Sequence, residues 1–211
     1  MYMLKKILFF SAALVLAAAP FAKADAIGTT AIFTLTQDGC SGTCGTAPFG
    51  TIQLVQTSTG VVTVTETLAA NERFAGSGAG DALEFNVAGA VTIADITSGF
   101  AIGPSPDTAS FAGTFLHSVT CTTCKGGQAG NNPGPLSFTV TSVGGVNVSD
   151  FIANSGGFTF ASDIVGTNGN TGNVAAKGGT TTSPVPEPSS LFLLGTGLVG
   201  AAGLLRRRLF S

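Results

Sequence analysis

Along the middle of the chain, apolar and polar residues alternate with a period of two. Ala31, Phe33 and Leu35 alternate with Ile32, Thr34 and Thr36. Ile52 and Leu54 flank Gln53, and Val62 and Val64 alternate with Thr63 and Thr65 ahead of Glu66. Leu83 and Phe85 bracket Glu84, and Leu136, Phe138 and Val140 alternate with Ser137, Thr139 and Thr141. Ile93 and Ile96 mark a looser segment, Phe111 and Phe115 fall on one face of a strand around Gly113, and Phe158, Phe160 and Ile164 close the series. Successive side chains of a strand point to opposite faces, so this period predicts strands with one buried and one wet face. About eight short strands with frequent turns predict an all-β fold, a jelly-roll-like β-sandwich. Gln56–Gly60 reads as a hairpin turn. Asn147–Ala153 reads as one short helix, capped by Asn147 or Ser149 and stopped by Asn154-Ser155-Gly156-Gly157.

The alternation is lost at both ends. At the amino end, Lys5 and Lys6 precede an apolar run from Ile7 to Ala19, followed by Ala22-Lys23-Ala24. That is the order of an export signal helix, with Asp25 as the first mature residue and cleavage after Ala26 as the alternative. At the carboxyl end, Pro186-Glu187-Pro188 precedes an apolar run from Leu191 to Leu205, closed by Arg206, Arg207 and Arg208. As a helix, that run with Ser190 spans roughly 24 Å, against about 30 Å for a bilayer core. Snorkelling arginines extend its reach and keep the C-terminus on the cytoplasmic side. The stretch 166–185 is Gly, Asn, Thr and Ser with little apolar bulk, and reads as a flexible linker that leaves room for a last strand near 173–176. The expected plan is a signal peptide over 1–24, a sandwich over 25–165, a linker over 166–185, and a sorting tail with a transmembrane helix over 186–211.

The tail resembles the PEP-CTERM sorting signal of bacterial envelope and exopolysaccharide systems. The resemblance is carried by Val185-Pro186-Glu187-Pro188, the Gly-rich apolar run and the arginine cluster. It implies recognition by an exosortase-type membrane peptidase, cleavage at or near the motif, and transient membrane anchoring through the C-terminus. It also implies a destination in the cell envelope or extracellular space, in association with exopolysaccharide. It covers the tail alone and says nothing about the domain delivered. A plain single-span anchor is the other reading of the same residues.

Charge removes one class of partner. Between residues 25 and 185 there are ten acids and three bases (Arg73, Lys125, Lys177), a net of 3 − 10 = −7. The whole-chain value of −2 hides this, because both basic clusters lie in the end segments. Three scattered cations build no basic patch, so nucleic acid is not an expected partner. No cofactor and no metal are expected either. The four cysteines form two close pairs, Cys40 with Cys44 and Cys121 with Cys124. Outside the cytoplasm an even count favours disulfides over a four-cysteine zinc site. Close spacing favours local pairing, while crossed pairing would staple distant loops and stabilise more. A redox role for Cys121-Thr122-Thr123-Cys124 lacks the helix start that lowers a thiol pKa.

His117 is the only histidine, so no Ser-His-Asp case can be built and no catalytic residue is nominated. Glu66, Glu72, Asp81, Glu84, Asp95, Asp107 and Asp163 show no spacing that singles out a glycosidase pair, and read as solvated surface charges. Calcium among loop carbonyls at Asp81 or Asp163 is chemically sensible but has no loop signature. The expectation is therefore a non-enzymatic exported protein with a structural or adhesive role. The alternative is a carbohydrate-binding module, although the stretch 25–185 lacks the Trp and Tyr on which sugar platforms lean.

Overall fold

The structure is a computed structural model and describes residues 25–125, 132–184 and 196–198. Fifteen strands are seen among them. They are β1 (Thr30–Leu35), β2 (Gln37–Cys40), β3 (Gly50–Ser58), β4 (Val61–Leu68), β5 (Arg73–Phe74), β6 (Leu83–Phe85), β7 (Thr92–Ala94) and β8 (Phe100–Ile102). There follow β9 (Asp107–Ala109), β10 (Gly113–Phe115), β11 (His117–Cys121), β12 (Leu136–Thr141), β13 (Phe160–Val165), β14 (Thr171–Ala176) and β15 (Thr180–Thr182). A front sheet runs β15-β1-β3-β4-β12-β7, and a back sheet runs β2-β14-β13-β6-β11-β8, with β5 also pairing β13. β9 and β10 form a separate hairpin, and the two main sheets remain open. The fold is all-β, in agreement with the alternation.

The core lies where the two sheets face each other. From the front sheet come Ile52, Leu54, Val62, Val64, Leu136 and Phe138; from the back sheet come Leu83, Phe85, Val119, Phe160, Ile164 and Val174. Rings interlock across the gap, with Phe33 and Phe160 4.8 Å apart at centroids and Phe85 and Phe138 5.5 Å apart. The longer strands of the front sheet follow the period of two: Ile52 and Leu54 of β3, and Leu136, Phe138 and Val140 of β12, are buried between exposed or half-buried neighbours. Its register puts Ile52 opposite Phe33 and Leu54 opposite Val64, so one face collects the apolar side chains. The β3–β4 hairpin turns where the sequence places it. Ser58 pairs with Val61, a register irregularity lies between Gln56 and Ser58, and Gly60 takes φ +74°, a value that favours glycine.

Three expectations are corrected. The stretch 166–185 is not a linker over most of its length, although the last strand for which it leaves room near 173–176 is present as β14. β14 pairs with both β13 and β2, and five of its six residues are buried; β15 pairs with β1. Small residues such as Gly172, Ala175 and Ala176 suit a strand covered on both sides, and so leave no alternation to read. The expected helix over 147–153 is a single 3-10 turn at Val148–Asp150 behind Asn147, because Phe151 is drawn into the core beside Phe85 and Val87 pairs with it. Phe111 does not share a strand with Phe115. It lies in the turn before β10 and is 42% exposed, while Phe115 is buried. The signal segment 1–24, with Ala22 and Ala24, and the tail residues Pro186, Glu187, Pro188, Arg206, Arg207 and Arg208 lie outside the described residues. Among those described, no helix is long and apolar enough to cross a membrane.

Candidate functional site

The outer face of the back sheet is where polar chemistry gathers. Register places Glu84 opposite Ser118 and Ala161, and Asp163 opposite Asn173, all pointing away from the main core. Two segments cover this face, the Gly-rich stretch 75–82 and residues 103–115. Ala109, Ala112, Phe115 and Phe158 pack on Ala161 and Ala175 as a second, small core. Phe111 presses onto Gly39 of β2, where an added Cβ would meet the ring at 2.3 Å. The cover takes the polar row beside this small core out of water.

Each side chain in that row finds a partner, but two of its buried atoms, Glu84 Oε2 and Asn173 Nδ2, have none. Asp163 accepts from the Ser77 N–H at 2.7 Å and from its hydroxyl at 2.7 Å, and donates its own N–H to the Asp81 carbonyl at 2.9 Å. Ser118 Oγ lies 2.5 Å from Asp81 Oδ2 and 2.8 Å from the Pro104 carbonyl. Asn173 Oδ1 accepts from the Ser110 N–H at 3.0 Å. Glu84 Oε1 accepts from the Asp81 N–H at 3.2 Å, but its Oε2 is buried without a hydrogen bond. The charge of the Asp107 carboxyl also bears on both Asp81 and Glu84.

Burial pushes the Glu84 carboxyl up to about 9, and the neighbouring charges of Asp107 and Asp81 add to the shift. Asp81 and Asp163 are also raised by burial, held back by the hydroxyls of Ser118 and Ser77 respectively. No base enters any of these balances. A buried carboxyl with no cation beside it favours its neutral form, and the same burial acts in the same direction on Glu84, Asp81 and Asp163.

Two further acids are removed from solvent. Glu66 sits inside the main core between Ile52 and Leu136 in register. Burial raises it well above the usual carboxylate range, and Ser162 offsets this only partly, since the Ser162 hydroxyl donates to the Ala82 carbonyl. Neither Glu66 oxygen has a hydrogen bond. Glu72 is pushed up to about 7 by burial and then by the charge of Asp38. The reading of these acids as solvated charges is thus overturned for Glu66, Glu72, Glu84 and Asp163, each under 5% exposed. No local pattern marks Glu84 as buried: alternation between Leu83 and Phe85 puts it on a wet face, and of the two segments that cover it the Gly-rich 75–82 reads as loop while 103–115 is distant in sequence.

The cysteines pair locally, Cys40 with Cys44 and Cys121 with Cys124. Asp38 organises the first loop, accepting from the N–H groups of Cys40 at 2.9 Å and Cys44 at 3.0 Å and from the Thr43 hydroxyl at 2.6 Å. Asp38, Cys40 and Cys44 also bring three ligand atoms within 4.8 Å, but both sulfurs are spent in the disulfide. His117 lies half-buried against Phe85, 5.5 Å between centroids, and its pKa is lowered by burial. Among the described residues nothing assembles a nucleophile, a base and an orienting group.

The remaining feature is the way the domain ends. β14 is buried in the back sheet, whereas β15 lies at the front sheet's edge with all three residues exposed. Immediately after it the chain runs into the proline-flanked motif. Residues 184–208 match the PEP-CTERM protein-sorting motif. The PEP-CTERM match starts two residues past β15 and leaves the folded domain outside it. It supports export and membrane-associated sorting at the cell envelope. No curated protein and no solved structure matches the chain.

Proposed function

We propose that the protein is an exosortase substrate, exported and processed at or near Pro186-Glu187-Pro188, whose all-β domain then serves a structural or adhesive role in the envelope or extracellular matrix with exopolysaccharide. The observation that carries this is the PEP-CTERM motif at 184–208, directly behind a folded, disulfide-bonded domain. In this reading residues 1–24 are removed after Ala24, the Leu191–Leu205 run enters the bilayer as a helix, and Arg206, Arg207 and Arg208 hold its end inside. Pro186 and Pro188 resist helix, since each lacks an N–H and fixes φ, so the motif stands extended for a membrane peptidase to read. The domain acts without enzymatic activity.

The test replaces Pro186, Glu187 and Pro188 with alanine and follows size and fractionation in the native host by immunoblot. The expected result is a full-length, membrane-bound variant beside a shortened wild type. Processing of the variant at the wild-type rate would refute the sorting role of the motif. Wild type that stays full length in the membrane favours a plain anchor.

A second reading, a carbohydrate-binding module, is favoured by one observation. An open groove of about 470 Å³ runs along β1, lined by Ile32, Thr34, Thr36, Lys177 and Thr180. Its hydroxyls and single ammonium suit a polyhydroxylated ligand, although no aromatic ring lines it. Retention on immobilised glycans, lost on Thr34→Val, distinguishes this from a scaffold.

A further inference from the structure

The folded domain does not end where its core ends. Ala176, the last residue of β14, is fully buried in the back sheet. Residues 177–184 then cross to the other sheet and lie on its outside, every one of them exposed. Their hold is light. Lys177 rests its ammonium over the Phe158 ring at 4.5 Å. Gly178 turns the chain at φ +66°, a conformation other residues rarely adopt. Thr180, Thr181 and Thr182 pair with Ile32, Ala31 and Thr30 of β1, and the Thr29 hydroxyl reaches Ser183 at 3.5 Å. No apolar side chain of the segment is buried. A short, exposed edge strand with few hydrogen bonds belongs to the part of a fold that opens first.

Distance gives this attachment a consequence. Pro186 stands four residues past Thr182. Extended chain reaches at most about 3.3–3.6 Å per residue, so with β15 docked the motif cannot leave the domain surface by more than roughly 14 Å. A protease that reads an extended segment must surround it with its own walls, and a folded body that close obstructs them. If the chain is free from Ala176 onward, Pro186 is ten residues away and the reach grows to roughly 35 Å.

We infer that β15 is a releasable strap: docked on β1 it holds the sorting motif too close to the domain for processing, and its undocking supplies the slack that admits the peptidase. This rests on the sorting reading above. The strap leaves the domain intact when it opens, because the core and both disulfides lie upstream of Lys177. Opening bares the outer edge of β1 and the side of the Phe33 ring on which Gly179 lies, and docking after processing covers them again.

The test locks the strap. In the full chain, expressed in its native host, Thr30→Cys is combined with Thr182→Cys, residues directly opposite in register. Bond formation is confirmed by mass on non-reduced protein. The matched control carries Thr30→Ser and Thr182→Ser. The locked protein is expected to lose its leader normally but to shorten at the C-terminus at least tenfold more slowly than the serine control. Inserting eight Gly/Ser residues after Ser183 in the locked protein is expected to restore processing, which separates lost slack from misfolding. Equal rates for locked and control proteins overturn the strap, as does a locked protein that the insertion fails to rescue. Wild type that never shortens overturns the sorting reading, and the strap with it, so the two failures read differently.

Discussion

The two outer faces of the sandwich are built on the same kind of strand and end in opposite conditions. On the front sheet, outward positions such as Thr34, Thr51, Thr65, Thr67, Thr139 and Thr141 stay in contact with water, and the only charged residue on its six strands, Glu66, points inward. On the back sheet the outward positions of β6, β13 and β14 are buried under the 75–82 and 103–115 segments, and acids lie among them. The uncharged face is open and the acidic face is closed, the reverse of what solubility alone would produce. A buried carboxyl without a cationic partner is tolerated only as the neutral acid, so covering the back sheet turned Glu84 and its neighbours into a pH-dependent element. The open threonine face carries no such liability.

The largest effect belongs to what the two sheets share. Phe85 is fully buried and touches Phe138 and Phe151, at 5.5 and 5.8 Å between centroids. Phe85→Ala is expected to cost about 3–5 kcal/mol, a large part of a domain's stability, read as a fall in the urea midpoint. A loss under about 1 kcal/mol would mean that the sheets do not close over that ring.

The next effect isolates the closed face. The Glu84 carboxyl is raised in the fold, from the ordinary value of 4.5 to about 9. Between those values the folded state binds more protons than the unfolded chain, so stability falls as pH rises. The stability is complete below about 4.5 and lost progressively toward 9, with a slope of at most about 1.4 kcal/mol per pH unit for one proton. Melting temperature measured from pH 5 to 9 should decline, and Glu84→Gln should flatten the decline and melt higher than wild type at pH 8. The amide that replaces the carboxyl keeps an acceptor for the Asp81 N–H and offers a donor to Asp107. A wild-type profile that rises with pH would place solvated acids in the layer.

How much of this was legible follows from the same contrast. The front sheet was open to reading because each strand shows one face to water: Ala31, Phe33 and Leu35 announce their side without help from the rest of the chain. β13 and β14 are harder to read, since both their faces are covered: Phe160 and Ile164 mark β13 and a last strand is legible near 173–176, but neither shows which face is wet. Asp163 and Glu84 read as wet because their cover, residues 75–82 and 103–115, carries no pattern that marks it as a lid. The sorting motif was legible in full because its signal is local and needs no fold. The strap was not, since three threonines beside two glycines carry no apolar pattern.

A third substitution probes the joint between cover and sheet. Ala161 and Ala175 leave room for Phe115 and Phe158. Ala161→Leu is expected to overpack this small core at a cost of about 1–3 kcal/mol, less than the loss of Phe85, because the hairpin above it can shift. Hydrogen exchange should show the damage in β9 and β10 and spare the front sheet. Equal loss of protection in both sheets would mean that the cover and the sandwich fold as one unit.

The smallest expected effect tests the open face. Thr51 lies outward on β3, between Thr34 and Thr67 in register, and is exposed. A lysine there keeps its charge in water and loses only the strand preference of a β-branched residue, so Thr51→Lys should change stability by no more than about 0.5 kcal/mol. Its counterpart, Ala175→Lys, has the same chemistry on the closed face. Its long side chain would be forced under the hairpin into space that Phe115 and Phe158 fill, at a cost in packing and desolvation. That variant should be largely unfolded, or folded with the hairpin displaced and β9–β10 amides exchanging freely. The pair of melting curves decides the comparison directly. If both lysines are tolerated, the hairpin is a loose flap and the acids beneath it are wet. If both are destructive, the threonine face is itself covered, and a partner or a second copy of the chain must be lying on it.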